Sequence, residues 1–152
     1  MKVTLHQLCQ SDFSAKLPEL LLNKLFEALQ RKDIEEANRI LDSNFKFDLH
    51  TEINGTMLLH VAASNDLVEQ MDKLIEKGAD VNRPNSFGSR PIHSAARNGC
   101  IRAINRLAEK GAKLNEPNKA KNTPINLAAE YKHEEAVTLI LKKLGLEAVE
   151  AK

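Results

Sequence analysis

Apolar residues recur in this chain at intervals of three, three and one residue. The set formed by Val68, Met71, Leu74 and Ile75 is one example. This spacing places four side chains on the same face of an α-helix. The pattern therefore predicts four amphipathic helices, the last of which has a glutamate at its first position. The four sets are Ile34, Ala37, Ile40 and Leu41; Val68, Met71, Leu74 and Ile75; Ile101, Ile104, Leu107 and Ala108; and Glu134, Val137, Ile140 and Leu141.

Two other motifs repeat with a single period. Leu-His-Val-Ala-Ala at 59–63 returns as Ile-His-Ser-Ala-Ala at 92–96 and as Ile-Asn-Leu-Ala-Ala at 125–129, so each step is 33 residues. Gly-Ala-Asp-Val-Asn at 78–82 returns as Gly-Ala-Lys-Leu-Asn at 111–115. Self-similarity at a fixed period is typical of repeat architectures. The chain is therefore predicted to contain four units, of which the first is degenerate.

Prolines and glycines mark where the helices of each unit begin and end. Pro91 and Pro124 stand where a first helix would begin, and Pro18 occupies a similar position in the first unit. Proline suits this position because the first amide of a helix has no partner within the helix. Gly78 and Gly111 follow the second helix, where a left-handed residue commonly ends a helix. Each unit is thus predicted to contain two helices and a turn.

These residues resemble the ankyrin repeat, a β-turn followed by two helices with a Thr-Pro-Leu-His-x-Ala type of signature. The resemblance covers roughly residues 18–145. It implies an all-α fold, an ankyrin-repeat solenoid of stacked helix-turn-helix units with β-turn fingers. No unit carries the full signature, because Met57 and Arg90 replace the threonine and the unit with Thr123 has Asn126 in place of the histidine. We interpret the departures in the last unit as those of a cap, one face of which meets water.

The repeat divides the chain into six segments, two of which lie outside the pattern. In the last unit the terminal glycine is displaced by one position, to Gly145. The predicted segments are an N-terminal extension at 1–17, a degenerate capping repeat at 18–52, ankyrin repeats at 53–84 and 85–117, a C-terminal capping repeat at 118–145, and a tail at 146–152.

Composition narrows the class of protein and its expected location. The chain has 152 residues, enough for one domain with a sizeable core, and 22 basic against 21 acidic residues give a formal charge of +1. No global field therefore draws it to nucleic acid or to an anionic membrane. Cys9 and Cys100 lie far apart, which predicts free thiols in a reducing compartment. Without a signal-peptide pattern or an apolar run of membrane-spanning length, the expected location is cytoplasmic, with non-classical export left open.

The residues with catalytic or metal-binding chemistry predict no active site. The resemblance implies that His60 and His93 are structural, with hydrogen bonds near the start of the first helix. His6 and Cys9 have no second pair of ligands at the spacing that zinc requires. Cys100 precedes a predicted second helix, whose dipole could lower a thiol pKa, but we favour a small residue at the turn between helices. No glycine-rich phosphate loop is present. We therefore predict no catalytic residue, no metal and no cofactor.

The resemblance also implies a concave surface, formed by the fingers and the first helices, across which a partner lies. Among the variable positions of that surface, we interpret Phe87, Arg97 and Tyr131 as anchors, since aromatic residues and arginine dominate interface energies. The alternative is that Phe87 packs against a neighbouring turn and that Tyr131 covers the first helices. The predicted partner-binding residues are Ile53, Asn54, Ser64, Asn65, Phe87, Ser89, Arg97, Asn98, Lys119, Asn122 and Tyr131.

One asparagine resembles a modification site. Asn82 follows Leu74 by eight residues, in a turn arrangement that asparaginyl hydroxylases modify in ankyrin proteins. The other interpretation is that the side chain stabilises the turn by hydrogen bonding.

Basic residues are concentrated in the last two units. They would form a strip for phosphate or an acidic partner, or else a solvated surface balanced by nearby glutamates, and we favour the second interpretation. The basic residues are Arg90, Arg97, Lys119, Lys121 and Lys132, and the glutamates are Glu116, Glu130, Glu134 and Glu135.

The resulting functional hypothesis is a non-catalytic module that binds a partner protein across the concave surface, as an adaptor, inhibitor or regulatory subunit. Compact four-unit members of the family include enzyme inhibitors, so we favour blockade of a catalytic partner. We expect a monomer that has no small-molecule substrate and no membrane contact. The alternatives are an effector exported into another cell, for which residues 146–152 would be needed, nucleic-acid binding through the lysines, and an enzyme with an unrecognised site.

Overall fold

Eight helices and no strand make up the part of the chain that the structure describes, residues 16–146 of a computed structural model. This confirms the all-α solenoid. Most of the predicted N-terminal extension and nearly all of the predicted tail lie outside the described residues, as do His6 and Cys9. The helices are α1 (Leu17–Arg31), α2 (Ile34–Leu41), α3 (Leu58–Ser64), α4 (Val68–Glu76), α5 (Pro91–Arg97), α6 (Ile101–Glu109), α7 (Pro124–Glu130) and α8 (Glu134–Lys143).

The helices form two rows. In the first row α1 packs on α3, α3 on α5, and α5 on α7; in the second row α2, α4, α6 and α8 pack in the same order. Each unit contributes one helix to each row, and the described helices pack mainly on those of neighbouring units. None of these helices is both long enough and apolar enough to cross a membrane.

Both rows of helices contribute side chains to the core. The paired alanines of α3 and α5, such as Ala95 and Ala96, are fully buried, and their size lets neighbouring helices approach closely. In the second row Met71, Leu74 and Ile104 are fully buried at the predicted positions. Leu58 and Ile92 of the first row are buried as well. Burying one such side chain stabilises the fold by about 1.5–3 kcal/mol.

The last helix departs from the predicted apolar face. Glu134 is exposed, and Ala136 and Ile140 are the buried residues of α8. Glu134 lies in the first turn of the helix, where a carboxylate is stabilised by the helix dipole. The helix has 10 residues, against 9 in α6, which accounts for the displacement of Gly145.

The turns between the two helices of a unit share a left-handed residue, with a φ of 58°, 58°, 65° and 62° at Lys32, Asp66, Gly99 and Lys132. Only one of the four is glycine. A Cβ atom at Gly99 would lie 2.5 Å from Nδ1 of His133, so the packing of that ring requires glycine there. The other three turns accept a side chain at the same position.

One turn that connects two units, at residues 48–50, lies outside the 33-residue period. The amide of His50 donates to Oδ1 of Asp48 at 2.9 Å, as the amide of Asn82 donates to Oδ1 of Asp80 at 2.8 Å. Nε2 of His50 then accepts from the Asp80 amide at 3.0 Å, and Oδ1 of Asn82 accepts from the Lys113 amide at 2.8 Å. The turn at 48–50 is thus equivalent to the turn at 80–82 and stands 32 residues before it. A longer segment after α2 shifts it out of phase.

Three fingers therefore connect successive units: residues 48–57, 80–90 and 113–123. Each lies between a second-row helix and the next first-row helix. We call them the first, second and third finger.

Two buried histidines join the first-row helices to the fingers. Nε2 of His60 lies 2.7 Å from the carbonyl oxygen of Ser89, and Nε2 of His93 lies 2.8 Å from that of Glu116. Nδ1 of His93 accepts from the Arg90 amide at 3.0 Å, which fixes its proton on Nε2. Burial lowers the pKa of His60 from 6.5 to about 4 and also lowers the pKa of His93. Both rings are therefore neutral donors at pH 7.

Candidate functional site

A groove of about 520 Å³ runs along the fingers and the first-row helices. Side chains from all three fingers form one wall, and α5 and α7 form the floor. Its lining residues are Asn54, Gly55, Thr56, Asn85, Phe87, Ser89, His93, Ser94, Arg97, Asn118, Asn122, Leu127, Glu130 and Tyr131.

An asparagine shapes each of the last two fingers. Oδ1 of Asn85 accepts from the amides of Phe87 and Ser89, both at 3.0 Å. Asn118 makes the same pair of bonds, also at 3.0 Å, with the amides two and four residues further on. A side chain that bonds its own backbone two residues ahead fixes a tight turn. Asn85 and Asn118 were not among the predicted site residues, although the same asparagine at both fingers was a visible signal.

The first finger turns in a different way. Ile53 and Thr56 exchange backbone hydrogen bonds of 2.8 and 3.2 Å around Asn54 and Gly55. Both central residues have a positive φ, of 54° and 78°, as in the two-residue turn that Asn-Gly favours. This finger carries Glu52 at the position of Asn85, and the Ser86 hydroxyl of the second finger donates to its carboxylate.

Phe87 rests on the first finger and stays open to the groove. A Cβ atom at Gly55 would lie 2.8 Å from Cε2 of the Phe87 ring, so the ring lies directly on that glycine. The side chain is nevertheless 64% exposed. The carbonyl oxygen of Phe87 accepts from the amide of Lys119 at 3.0 Å. Phe87 therefore packs against a neighbouring turn and also presents an aromatic surface.

The contact between Phe87 and Gly55 gives a testable prediction. Gly55→Ala is expected to lower the free energy of unfolding by about 1 kcal/mol or more, because alanine is strained at positive φ and its methyl group meets the ring. Chemical denaturation followed by circular dichroism measures this. The control is Gly111→Ala, at a φ of 89° with no atom within 4 Å. If the two variants lose the same stability, the ring contact contributes nothing.

Arg97 and Tyr131 form a pair at the other end of the groove. Cζ of Arg97 lies 5.0 Å from the centroid of the Tyr131 ring, within the range of a cation–π interaction. Tyr131 is 44% exposed, and Arg97 forms no ion pair within residues 16–146. The ring holds a guanidinium group whose charge stays available to a ligand.

A family model described as ankyrin repeats (3 copies) matches residues 5–118 and 59–150. The chain belongs to the ankyrin-repeat family. Ankyrin repeats generally mediate protein–protein interactions. No curated protein matches the chain.

Six of the predicted partner-binding residues line the groove of this ankyrin protein. They come from all three fingers and from the ends of two first-row helices. The six are Asn54, Phe87, Ser89, Arg97, Asn122 and Tyr131.

The other five predicted residues lie outside the groove. Nδ2 of Asn65 donates to the Leu29 carbonyl at 3.1 Å, and Nδ2 of Asn98 donates to the Ser64 carbonyl at 2.9 Å. These amides tie the ends of α3 and α5 to the unit before each of them. The remaining three have different surroundings: the hydroxyl of Ser64 donates to Val61, the side chain of Ile53 packs against the core, and that of Lys119 is exposed on the third finger.

The side chain of Asn82 joins two successive turns of the ankyrin array. Its Nδ2 donates to the Gly111 carbonyl at 3.2 Å, and its Oδ1 accepts from the Lys113 amide at 2.8 Å. Both polar atoms thus have partners, as the turn-stabilising interpretation requires. Hydroxylation of Asn82 stays a prediction.

In the last ankyrin unit Asn126 stands in place of the histidine, and it reproduces only the hydrogen bond at the start of the helix. The Thr123 amide and the Thr123 hydroxyl both donate to Oδ1 of Asn126 at 2.9 Å. The Asn126 amide donates back to Thr123 Oγ1 at 3.2 Å, which completes a capping box. Asn126 therefore caps its own helix, and within residues 16–146 it has no bond to a further finger.

The described residues hold no group of three or more His, Cys, Asp or Glu side chains that could bind a metal ion. Burial raises the pKa of Cys100, the opposite of what an activated thiol needs. Its Sγ lies 3.3 Å from the Ser64 carbonyl, in the turn before α6. These surroundings agree with a small residue packed at the turn between helices.

Proposed function

We propose that the protein binds a partner protein along the groove between the fingers and the first-row helices. The observation that supports this most is that Phe87, Arg97 and Tyr131, from two units, line one groove. They provide exposed aromatic surface and a guanidinium group that forms no ion pair within residues 16–146. Tyrosine and arginine are enriched among residues that dominate binding energy. The groove is extended and joins several units, which suits a polypeptide better than a compact small molecule.

Within this class we favour a protein that blocks a catalytic partner, with an adaptor or a regulatory subunit as other forms of the same binding. The groove is lined mainly by amide, hydroxyl and aromatic side chains with one guanidinium group, which suits the recognition of a polypeptide. We propose that it acts as a monomer in the cytoplasm. Export into another cell is the second candidate, and it predicts that deletion of residues 146–152 abolishes delivery and leaves binding intact.

The test is affinity capture with a groove variant. Phe87→Ala, Arg97→Ala and Tyr131→Ala, combined in one protein, are expected to weaken partner binding by about 2 kcal/mol or more, roughly thirtyfold. Partners captured from lysate are identified by mass spectrometry, and the affinity of the leading partner is then measured by titration. Circular dichroism checks that the variant is folded.

The matched control changes three exposed residues of the second row: Glu76→Ala, Arg102→Ala and Lys110→Ala. It should retain the partner with unchanged affinity. Retention of the same partner by the groove variant would place the binding surface elsewhere, on the second-row helices or at the ends of the array.

A further inference from the structure

Ion pairs are distributed unevenly over the structure. Within residues 16–146 every pair involves the first unit or the second-row helices, and none involves a finger or the groove. The pairs are Arg31–Glu27, Arg39–Glu35, Arg39–Glu36, Lys73–Asp42, Arg106–Asp72 and Arg106–Glu109. The charges beside the groove are therefore not neutralised by partners within the described chain.

Charge also changes sign along the row of fingers. The first finger has two acidic residues and no lysine or arginine, whereas the second has two arginines and one aspartate. The third has three lysines and one glutamate. At pH 7 the formal charge of the fingers thus rises from −2 to +1 and then +2, counting histidine as neutral. A ligand that spans the row therefore meets a negatively charged finger at one end and positively charged fingers at the other.

Two guanidinium groups next to the groove are held in place. Nε of Arg90 donates to the Asn82 carbonyl at 3.1 Å, which anchors this guanidinium at the base of the second finger. Arg97 lies on the Tyr131 ring. Lys119 and Lys121 are exposed on the third finger. A fixed guanidinium loses less conformational freedom on binding a carboxylate than a free one.

We propose that the partner presents an extended acidic segment to the groove. Its carboxylates face Arg97 and the basic second and third fingers, and one apolar side chain packs on Phe87. The inference rests on the proposed function and adds the chemistry of the partner to it. A nucleic acid fits less well because the first finger and Glu130 would repel a continuous phosphate backbone, and the whole chain has a net charge of only +1.

Three polymers of known chemistry test this proposal. A random copolymer of glutamate and tyrosine serves as the acidic probe, a copolymer of lysine and tyrosine as its basic counterpart, and duplex DNA as an anion without peptide chemistry. Binding of each labelled polymer is followed by fluorescence anisotropy. The acidic copolymer is expected to bind most tightly. Its binding should weaken when salt is raised from about 0.1 M to about 1 M, which shortens the screening length from about 10 Å to about 3 Å.

Charge reversal locates the interaction. Lys119→Glu combined with Lys121→Glu is expected to weaken binding of the acidic copolymer by about tenfold or more, since like charges now face the ligand. The matched control is Arg102→Glu combined with Lys110→Glu, which makes the same change in net charge at the two ends of α6. Helix-dipole effects of the two control substitutions have opposite sign and largely offset each other. The control should bind within about twofold of the original protein.

Several outcomes would overturn the proposal. These are equal binding of the basic copolymer, no binding of the acidic copolymer, an equal loss in the control variant, and tighter binding of DNA. A displayed library of random peptides separates this failure from failure of the proposed function. Peptides that require Phe87 but carry no excess of acidic residues would leave the groove as a protein-binding site and remove only its acidic preference. If no recovered peptide depends on the groove, both proposals fail.

Discussion

Leu107→Ala is expected to lower the free energy of unfolding by about 2–5 kcal/mol. Leu107 is 0% exposed and lies on α6, which packs on both α4 and α8. Alanine would leave a cavity where two interfaces between units meet. Stability in a repeat array is approximately a sum of unit and neighbour terms, so weakening both interfaces of one inner unit affects the whole array. Urea denaturation followed by circular dichroism measures the change.

The control for this variant is Leu146→Ala, the same substitution at a leucine that is 60% exposed. It should change stability by less than about 0.5 kcal/mol. A loss below about 1 kcal/mol at Leu107 would contradict the packing described for α6. A broadened or two-step transition would show that the units on either side of the cavity unfold separately.

Acid is expected to destabilise the protein by about 2 kcal/mol between pH 7 and pH 5 through His60 alone. Its pKa falls from 6.5 to about 4 in the folded state because the ring is buried. The unfolded chain therefore takes up a proton at a higher pH than the folded chain, and stability is lost as pH falls from 6.5 towards 4. Burial of His93 lowers its pKa as well, which adds a loss in the same direction.

Local geometry supports this dependence on pH. Nε2 of His60 already bonds the Ser89 carbonyl, and Nδ1 is buried without a hydrogen-bond partner among residues 16–146. A second proton on the ring would place a charged donor where nothing accepts it. The expected result is a urea midpoint that falls between pH 7 and pH 5.

His60→Asn provides the comparison, because asparagine occupies the equivalent position at Asn126. This variant should be less stable at pH 7, having lost the bond to the second finger, and its stability should depend less on pH. An unchanged slope of stability against pH would show that other groups cause the acid sensitivity.

The architecture could be predicted from the sequence because its signals are local and repeated. Pro91 and Pro124 begin α5 and α7 as expected. Gly78 and Gly111 have a φ of 107° and 89° after the second-row helices. Buried apolar positions at helical spacing mark each second-row helix. These features depend only on neighbouring residues, so the 33-residue period transfers them from one unit to the next.

Other parts of the fold depend on distances between units. The first finger has no counterpart at the 33-residue period because the segment after α2, which contains Phe45 and Phe47, is longer than the equivalent segments. His50 replaces an asparagine there, yet it accepts the same type of backbone hydrogen bond. Equivalent geometry from a different residue type leaves no match in the sequence. The turn Asp48-Leu49-His50 could be recognised only once that hydrogen bond was known.

The candidate site could be predicted only in part, because it too depends on contacts between units. Residues at the ends of first-row helices contact the preceding unit at an offset of 34 residues, as Asn98 does with Ser64 and Tyr131 with Arg97. At Asn98 the side-chain amide is used for a bond within the chain, whereas at Tyr131 the same offset produces a stacked pair open to the groove. The two contacts differ because the residue at the helix end is asparagine in one unit and tyrosine in the next. The 34-residue offset follows from the stacking of the helices, so it could not be predicted from the sequence.

The fingers contact one another in a row. Phe87 lies on Gly55, the Lys119 amide donates to the Phe87 carbonyl, and Nδ2 of Asn118 donates to Ser89 Oγ at 3.2 Å. Neighbouring units therefore hold their contact points at the spacing of packed helices, about 8–10 Å. An extended chain advances about 3.3 Å per residue. A partner segment lying along this row would meet equivalent positions at about every third residue, so its own sequence should show a three-residue period.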